Sequence, residues 1–300
     1  MNGGQASILG AVRVNMHFTR DQLLLLFAAA NLGFLSLDVA IAHSVNGFVP
    51  VYEWIPVFLP PVGAITAGWL GLSRQPSAGL KVAHVLTMLA SLLVGLLGLA
   101  FHLKAMIAPG GAISWNWIVF SAPVIAPLSF AGVGLVGLFG IVDESPQNPG
   151  VLSLMNAVTV KAPLSKTQHL LLFVGLGFAG AAATSFLDHA QYGYRVYEWI
   201  PIILGIFATI VVLGRAFVRR SSRVDDLIYL WTMIAAILVG VLGFAFHLSH
   251  DLADSGALSL ERMRAFAPIF APFLFSDLGI LGLLVVVETS EDPPEVPAIH

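Results

Sequence analysis

Apolar residues dominate this chain in eight stretches of about 20 residues each. A helix of about 20 residues crosses a hydrocarbon core of about 30 Å, so each stretch is long enough to span a membrane. None of the stretches alternates like a transmembrane β-strand, and backbone groups in lipid must be paired within the protein. We predict an all-α integral membrane protein with eight transmembrane helices, at 22–43, 54–73, 82–103, 118–141, 167–189, 199–218, 226–248 and 266–288.

Segments of the first half recur in the second half at a shift of 145 residues. VYEWIP occurs at 51–56 and at 196–201, and LVGLLGLAFHL at 93–103 recurs as LVGVLGFAFHL at 238–248. One residue inserted before the VYEWIP motif pairs His43 with His189. The pattern predicts two tandem four-helix repeats. Because each repeat has an even number of spans, the two are expected to be parallel, related by an axis along the membrane normal.

Basic residues between the spans predict the orientation of the chain. Ten Lys and Arg residues lie on the side of the two termini, against four on the other side. Positive residues collect in cytoplasmic loops, so we expect both termini in the cytoplasm, with a bacterial inner membrane as the host. The expected domains are a cytoplasmic N-terminal tail (1–21), repeat 1 (22–145), a cytoplasmic linker (146–166), repeat 2 (167–289) and a disordered acidic, Pro-rich tail (290–300).

Composition narrows the function further. Hydrophobic residues make up 57% of the chain and charged residues 10%, with a net charge of −3, so the lipid bilayer is the expected partner. A nucleic-acid partner is not expected, because the chain lacks a basic surface. The chain has no Cys, which excludes disulfides, iron–sulfur clusters and zinc sites with Cys ligands.

Three polar residues recur in each repeat on the side opposite the termini. They are His43, Glu53 and His102 in repeat 1, and His189, Glu198 and His247 in repeat 2. Two His and one carboxylate form a ligand set used by catalytic zinc and by non-haem iron. We therefore predict one transition-metal site per repeat, with Zn, Fe or Cu as candidate ions and redox or metal-dependent chemistry as the function.

Neighbouring residues add to these candidate sites. Tyr52 and Tyr197 adjoin the two Glu residues and are expected to support the ligands as hydrogen-bond donors. Asp188 and His250 enrich the second site only. A purely structural role stands beside the metal hypothesis, since polar and aromatic residues also collect at membrane interfaces for solvation.

Two other functions use different features of the chain. The same histidines are candidate axial ligands of haem b in an electron-transfer subunit, with room for the macrocycle at Gly95, Gly98, Gly240 and Gly243. Asp38 and Asp277 lie within spans, where ionisable residues commonly mark a proton or ion path, so they suggest a transporter. A non-enzymatic subunit of a membrane complex is the last alternative, and extracytoplasmic or membrane redox subunits are the candidate partners.

Overall fold

A computed structural model describes residues 4–8, 12–44, 47–107, 111–191, 193–218, 221–253 and 268–289. Helices make up 74% of the structure. Within these residues, six helices are long and apolar enough to cross a membrane. Only 22–39% of the most apolar window of each helix is buried inside the protein, so large apolar side chains cover the outside of the molecule. By length and composition, these helices indicate an integral membrane protein.

The helices follow the predicted apolar stretches closely at six positions. Short 3-10 turns, Val51–Trp54 and Val196–Glu198, lie directly before the second and the seventh helix. Thr19 and Ser165 cap α1 and α6 in the same way, each in a capping box with a Gln three residues later. The helices of the described residues are α1 (Arg20–His43), α2 (Ile55–Leu72), α3 (Ala78–Ala105), α4 (Trp115–Phe120), α5 (Leu128–Phe139), α6 (Lys166–Ala190), α7 (Trp199–Phe217), α8 (Arg223–Ala253) and α9 (Phe273–Val285).

The fourth and eighth predicted spans differ from the expectation. The stretch 118–141 is not one helix, since α4 ends at Phe120 and α5 begins at Leu128. In the described part of the stretch 266–288, the one helix is α9, which is 13 residues long, while α5 has 12. Pro127 and Pro272 stand directly before α5 and α9, because proline lacks an N–H and disfavours helix at the preceding residue. The described residues thus contain six long apolar helices and two short ones where the sequence predicts eight spans.

Two small antiparallel sheets were not foreseen. Their strands are β1 (Gly4–Ile8), β2 (Val12–Met16), β3 (Val142–Glu144), β4 (Val151–Leu154), β5 (Val158–Lys161) and β6 (Val287–Thr289). One sheet has the order β2-β1-β6 and the other β3-β4-β5. The segments predicted as an N-terminal tail and a linker therefore each contain a β-hairpin. The predicted tail at 290–300 lies outside the described residues.

The two sheets pair their strands in corresponding registers. Val142 of β3 lies opposite Leu154 of β4, and Val287 of β6 lies opposite Ile8 of β1. Val287 corresponds to Val142 at a shift of 145 residues (287 − 142), and Leu154 corresponds to Ile8 at a shift of 146 (154 − 8). The same shifts relate the sequence motifs. Each hairpin precedes a long helix, α1 or α6, and each sheet is completed by a strand that follows α5 or α9.

Helix packing follows one scheme in both halves of the chain. α1 packs on α2 and α3 on α5, while α6 packs on α7 and α8 on α9. A single apolar core joins the two groups of helices, and its largest buried members include Leu24, Met88, Phe178 and Tyr229. The starts of α1 and α6 lie side by side next to the sheets. We call this the sheet end, and the opposite end, which carries His43, His102, His189 and His247, the histidine end.

Candidate metal site

His43 and Glu53 form the closest pair among the predicted ligands. His43 is the last residue of α1, and the chain turns back through Gly47 and Phe48, both with positive φ, to the 3-10 turn that carries Glu53. The His43 Nδ1 and Glu53 Oε2 atoms are 3.6 Å apart. The two side chains are only 24% and 11% exposed, so the pair is shielded from much of the surrounding solvent.

His102 and His247 are each oriented by a backbone carbonyl. The Nδ1 atom of His102 lies 2.6 Å from the carbonyl oxygen of Pro123, and that of His247 lies 2.8 Å from the oxygen of Pro268. A carbonyl oxygen only accepts hydrogen bonds, so Nδ1 carries the proton in both rings. In the neutral ring the Nε2 atom then keeps a free lone pair. Metal-binding histidines are typically held in this way, with the second ring N–H donated to a carbonyl.

The three predicted residues of the first repeat share the histidine end but do not form a closed ligand set. His43 ends α1, and His102 lies in the last turn of α3. Within the described part of the chain, no three His, Asp or Glu side chains stand close enough together to hold a metal ion. The first repeat therefore presents a His–Glu pair beside a third, independently oriented His.

The second repeat places its glutamate differently. The Glu198 carboxylate accepts a hydrogen bond from the backbone N–H of Arg195, at 2.8 Å, and so caps its own 3-10 turn. Arg195 also donates to the Tyr197 hydroxyl at 2.8 Å, which raises the pKa of this exposed guanidinium. The His189 Nδ1 atom is buried and has no hydrogen-bond partner among the described residues. The His–Glu contact of the first repeat is thus not reproduced.

Among the residues that the structure describes, Asp251, which has no polar counterpart in the first repeat, is the most deeply buried acid at the histidine end. Its exposed fraction is 0%, and neither carboxylate oxygen has a hydrogen-bond partner in the part of the chain that the structure describes. It lies one helical turn after His247 on α8. Met106 holds the corresponding position in the first repeat. A comparison of polar residues between the two halves of the sequence therefore does not reveal Asp251.

The tyrosines expected to support the ligands make aromatic contacts. The ring of Tyr52 stacks on Phe101, with the ring centres 5.0 Å apart, and Tyr197 contacts Phe246 at 6.3 Å. Each Phe directly precedes the histidine of its helix, so these contacts hold the VYEWIP motif against α3 or α8. The hydroxyl of Tyr197 accepts the hydrogen bond from Arg195.

Asp188 and His250, the two residues predicted to enrich the second site only, have different surroundings. Asp188 lines a cavity of about 10 Å³ together with Ser121 and Pro123 of the first repeat, a volume that suits one water molecule. Pro123 is the residue whose carbonyl orients His102. His250 is exposed. Asp188 therefore faces the connection between α4 and α5 rather than the second repeat's own candidate site.

The glycines expected to make room for haem are used for helix packing. A Cβ atom added to Gly95 would lie 2.5 Å from the Ala131 nitrogen, and one added to Gly98 would lie 2.7 Å from Pro127. Gly240 and Gly243 approach Ser276 and Pro272 equally closely. The space beside these four glycines is therefore filled by α5, α9 and the prolines that precede them.

The two candidate residues of a proton path lie on different helices. Asp277 of α9 is half-buried, and its carboxylate lies near Asn31 of α1. Asp38 is also half-buried, on α1 nearer the histidine end. Asn31 donates its amide to the Phe27 carbonyl at 3.1 Å. Phe27 lies before Asn31 on α1, whereas Asp38 lies after it, nearer the histidine end.

Comparison with known proteins finds no matching family model, no matching curated protein and no matching solved structure. The function is therefore inferred from the residues of the site. Those residues offer imidazole nitrogens and carboxylate oxygens, a donor set suited to transition-metal ions.

Proposed function

We propose that this protein is a membrane protein that binds one transition-metal ion in each of two parallel four-helix units, for redox or metal-dependent chemistry. The proposed ligands are His43, Glu53 and His102 in the first unit, and His189, Glu198 and His247 in the second. Zn, Fe and Cu are the candidate ions. Two histidines and a carboxylate leave coordination positions open for water or substrate, which a purely structural site does not.

The observation that carries this proposal is the orientation of His102 and His247. Both rings donate Nδ1–H to a proline carbonyl 21 residues further along the chain. The bond fixes the tautomer in which Nε2 is the basic nitrogen. Its recurrence in both halves supports a shared role that depends on that nitrogen.

Contacts that recur at shifts of 145 or 146 residues support the two-unit organisation. His84 bonds to the Gly137 carbonyl at 2.9 Å, and Tyr229 donates to the Gly282 carbonyl at 2.7 Å. The side chains differ, yet each reaches from one long helix to the same point on a short one. In this proposal α5 and α9 each form part of a membrane crossing.

The arrangement in the membrane follows from the distribution of basic residues. We propose that the sheet end and both termini face the cytoplasm of a bacterial inner membrane, since ten of the 14 Lys and Arg residues lie on that side. The histidine end then faces outwards. Metal exchange and contact with extracytoplasmic redox partners would take place there.

Metal analysis of histidine variants tests the proposal. His102→Gln and His247→Gln are each expected to lower the metal content of detergent-purified protein by about one atom per chain. His169→Gln provides a matched control, because the His169 ring bonds to the Ser165 carbonyl at the sheet end, at 2.8 Å, and is expected to leave the content unchanged. Equal metal content in all three variants would contradict the proposal.

A spectrum of the same samples separates the metal ion from haem. Bound haem b would give a Soret band that is lost in the His102→Gln and His247→Gln variants. The packed glycines of α3 and α8 favour the bare ion. Iron without a Soret band, zinc or copper would agree with the proposal.

A further inference from the structure

A cavity of about 280 Å³ lies at the sheet end, where α6 begins and where α7 and α9 end. This volume is close to the lower end of the range for small-molecule pockets, about 300 Å³, and is far larger than one water molecule needs. The cavity can therefore hold a ligand group of several heavy atoms. Its walls include Thr167, Gln168 and Leu171 of α6, Arg215 and Val218 at the end of α7, and Val286 directly after α9.

Arg215 supplies a positive charge to the wall of this cavity. Its Nη2 atom lies 3.5 Å from the Oδ1 atom of Asp226. Neither that oxygen nor the buried Arg215 Nε atom has a hydrogen-bond partner in the described part of the chain, so no hydrogen bond closes the pair. A guanidinium carries several N–H groups, and this side chain is 22% exposed. Arg215 therefore keeps N–H groups that can bind an anion in the cavity.

The Thr167 hydroxyl is a second donor on the cavity wall. Its oxygen accepts a hydrogen bond from Arg20 at 2.9 Å, and its own O–H can rotate to meet a ligand. The Gln168 amide is instead held in place, since it donates to the Ala216 carbonyl at 2.9 Å and accepts from the Ser165 N–H. A guanidinium and a hydroxyl that is itself bonded to a second guanidinium suit the oxygens of a phosphate group.

The rest of the wall is apolar and lies at the ends of membrane-length helices. Leu171 and Val286 are buried, whereas Val218 is 46% exposed. Both α6 and α7 are long and apolar enough to cross a membrane, and the cavity lies where α6 begins and α7 ends. Basic pockets between membrane-spanning helices at this depth bind phospholipid headgroups. The position therefore favours a phosphate that is attached to acyl chains over free phosphate.

The first unit has different residues at the corresponding positions. At a shift of 146 residues Asp21 corresponds to Thr167, and at a shift of 145 Leu70 corresponds to Arg215. Leu70 is apolar and only 3% exposed, and a carboxylate such as that of Asp21 repels an anion. We therefore expect a phosphate site in the second unit and not in the first.

We propose that this cavity binds the phosphate group of one anionic phospholipid from the leaflet at the sheet end, through Arg215 and Thr167. The inference concerns the end of the molecule opposite the candidate metal sites and does not depend on them. A phospholipid bound there fastens the start of α6 to the end of α7 at the membrane surface.

Native mass spectrometry of the full chain, delipidated in detergent and titrated with dioleoyl phosphatidylglycerol, tests the proposal. We expect about one tightly bound lipid per wild-type chain, and an affinity about tenfold lower in Arg215→Leu. Arg223→Leu is the matched control, because it removes the same charge from an exposed position at the start of α8, outside the cavity wall. It should keep the tight site. Asp226→Asn should bind up to about fivefold more tightly, because it removes the opposing charge beside Arg215.

Two results would overturn the proposal. One is an unchanged affinity in Arg215→Leu, and the other is an equal loss in Arg215→Leu and Arg223→Leu, which would show only a general attraction between basic residues and anionic lipid. Titration with glycerol phosphate separates the two sources of phosphate, and binding as tight as that of the lipid would overturn the lipid assignment. Thermal unfolding without added lipid checks that Arg215→Leu is folded, and the gain expected in Asp226→Asn gives a readout that misfolding cannot imitate.

Discussion

The Lys166 ammonium lies 2.7 Å from the Asp21 carboxylate and joins the starts of α6 and α1. Lys166 also donates to the Val142 carbonyl at 2.6 Å, and its side chain is only 2% exposed. Beside it, Arg20 donates to Thr167 at 2.9 Å. At a shift of 146 residues, Arg20 corresponds to Lys166 and Asp21 to Thr167, so the two contacts are reciprocal, as at an interface with two-fold symmetry.

This ion pair predicts an asymmetric response to mutation. Asp21→Asn leaves the buried Lys166 ammonium uncompensated and is expected to cost about 1–3 kcal/mol, less than a fully buried pair because the Asp21 side chain is 38% exposed. Lys166→Met removes the buried charge and leaves a carboxylate that water can reach, so its cost should be smaller. Unfolding of both variants in detergent measures the difference. The opposite order of stabilities, with Lys166→Met below Asp21→Asn, would show that the buried ammonium is not the costly partner.

The close approach of α3 to α5 predicts that Gly95 cannot become alanine. The new Cβ would meet backbone atoms of Ala131 and Pro127 at 2.5 and 2.9 Å, and overpacking of this kind costs about 1–3 kcal/mol. Gly33 is the matched control, because it lies within α1 and has no atom within 4 Å of the added Cβ. Gly33→Ala should be neutral or stabilising by up to about 1 kcal/mol, as expected from helix propensity. Equal melting temperatures for the two variants would contradict the packing described here.

The buried hydroxyl of Tyr229 is expected to contribute measurably to stability. It donates to the Gly282 carbonyl at 2.7 Å, and the side chain is fully buried. Tyr229→Phe should therefore lower the free energy of unfolding by about 1–3 kcal/mol, since a buried acceptor loses its donor. Tyr52→Phe, on a ring that is 52% exposed, should stay within about 0.5 kcal/mol of the wild type. Similar losses of unfolding free energy in the two variants would show that the Tyr229 hydrogen bond does not stabilise the protein.

The carboxylates of Asp38 and Asp277 are expected to be dispensable for metal binding. Neither lies among the proposed ligands, and the Asp277 contact with Asn31 is confined to α1 and α9. Asp38→Asn and Asp277→Asn should keep the wild-type metal content and leave proton flux in proteoliposomes unchanged. A wild-type proton flux that either substitution abolishes would instead support the transport hypothesis.

Six of the predicted helices could be located from sequence because an apolar stretch of about 20 residues determines both position and length. The fourth predicted span is divided between α4 and α5, and the helix of the eighth begins only at Phe273, since hydropathy alone does not register the effect of Pro123, Pro127 and Pro272 on the helix. The hairpins were missed because their strands are only four or five residues long. The sequence does contain a sign of the two hairpins. Ser7 recurs as Ser153, and the AVxV pattern that begins at Ala11 recurs at Ala157.

The candidate site was only partly predictable for a related reason. The recurring motifs predicted His43 and Glu53 as site residues, because both halves retain these residue types. The structure brings the two side chains to 3.6 Å. Asp251 has no counterpart and was overlooked, and only its burial distinguishes it. The Nδ1 bonds of His102 and His247 depend on the path of the chain around Pro123 and Pro268, which no sequence pattern encodes directly.

The central claim is tested most directly by elemental analysis of the purified wild-type protein, expressed as metal atoms per chain. Two sites of the proposed kind predict about two atoms of one transition metal in each folded chain. Near-zero metal in a folded sample, prepared without chelator from metal-replete cells, would contradict the claim and return the histidines and carboxylates to a structural role at the membrane interface.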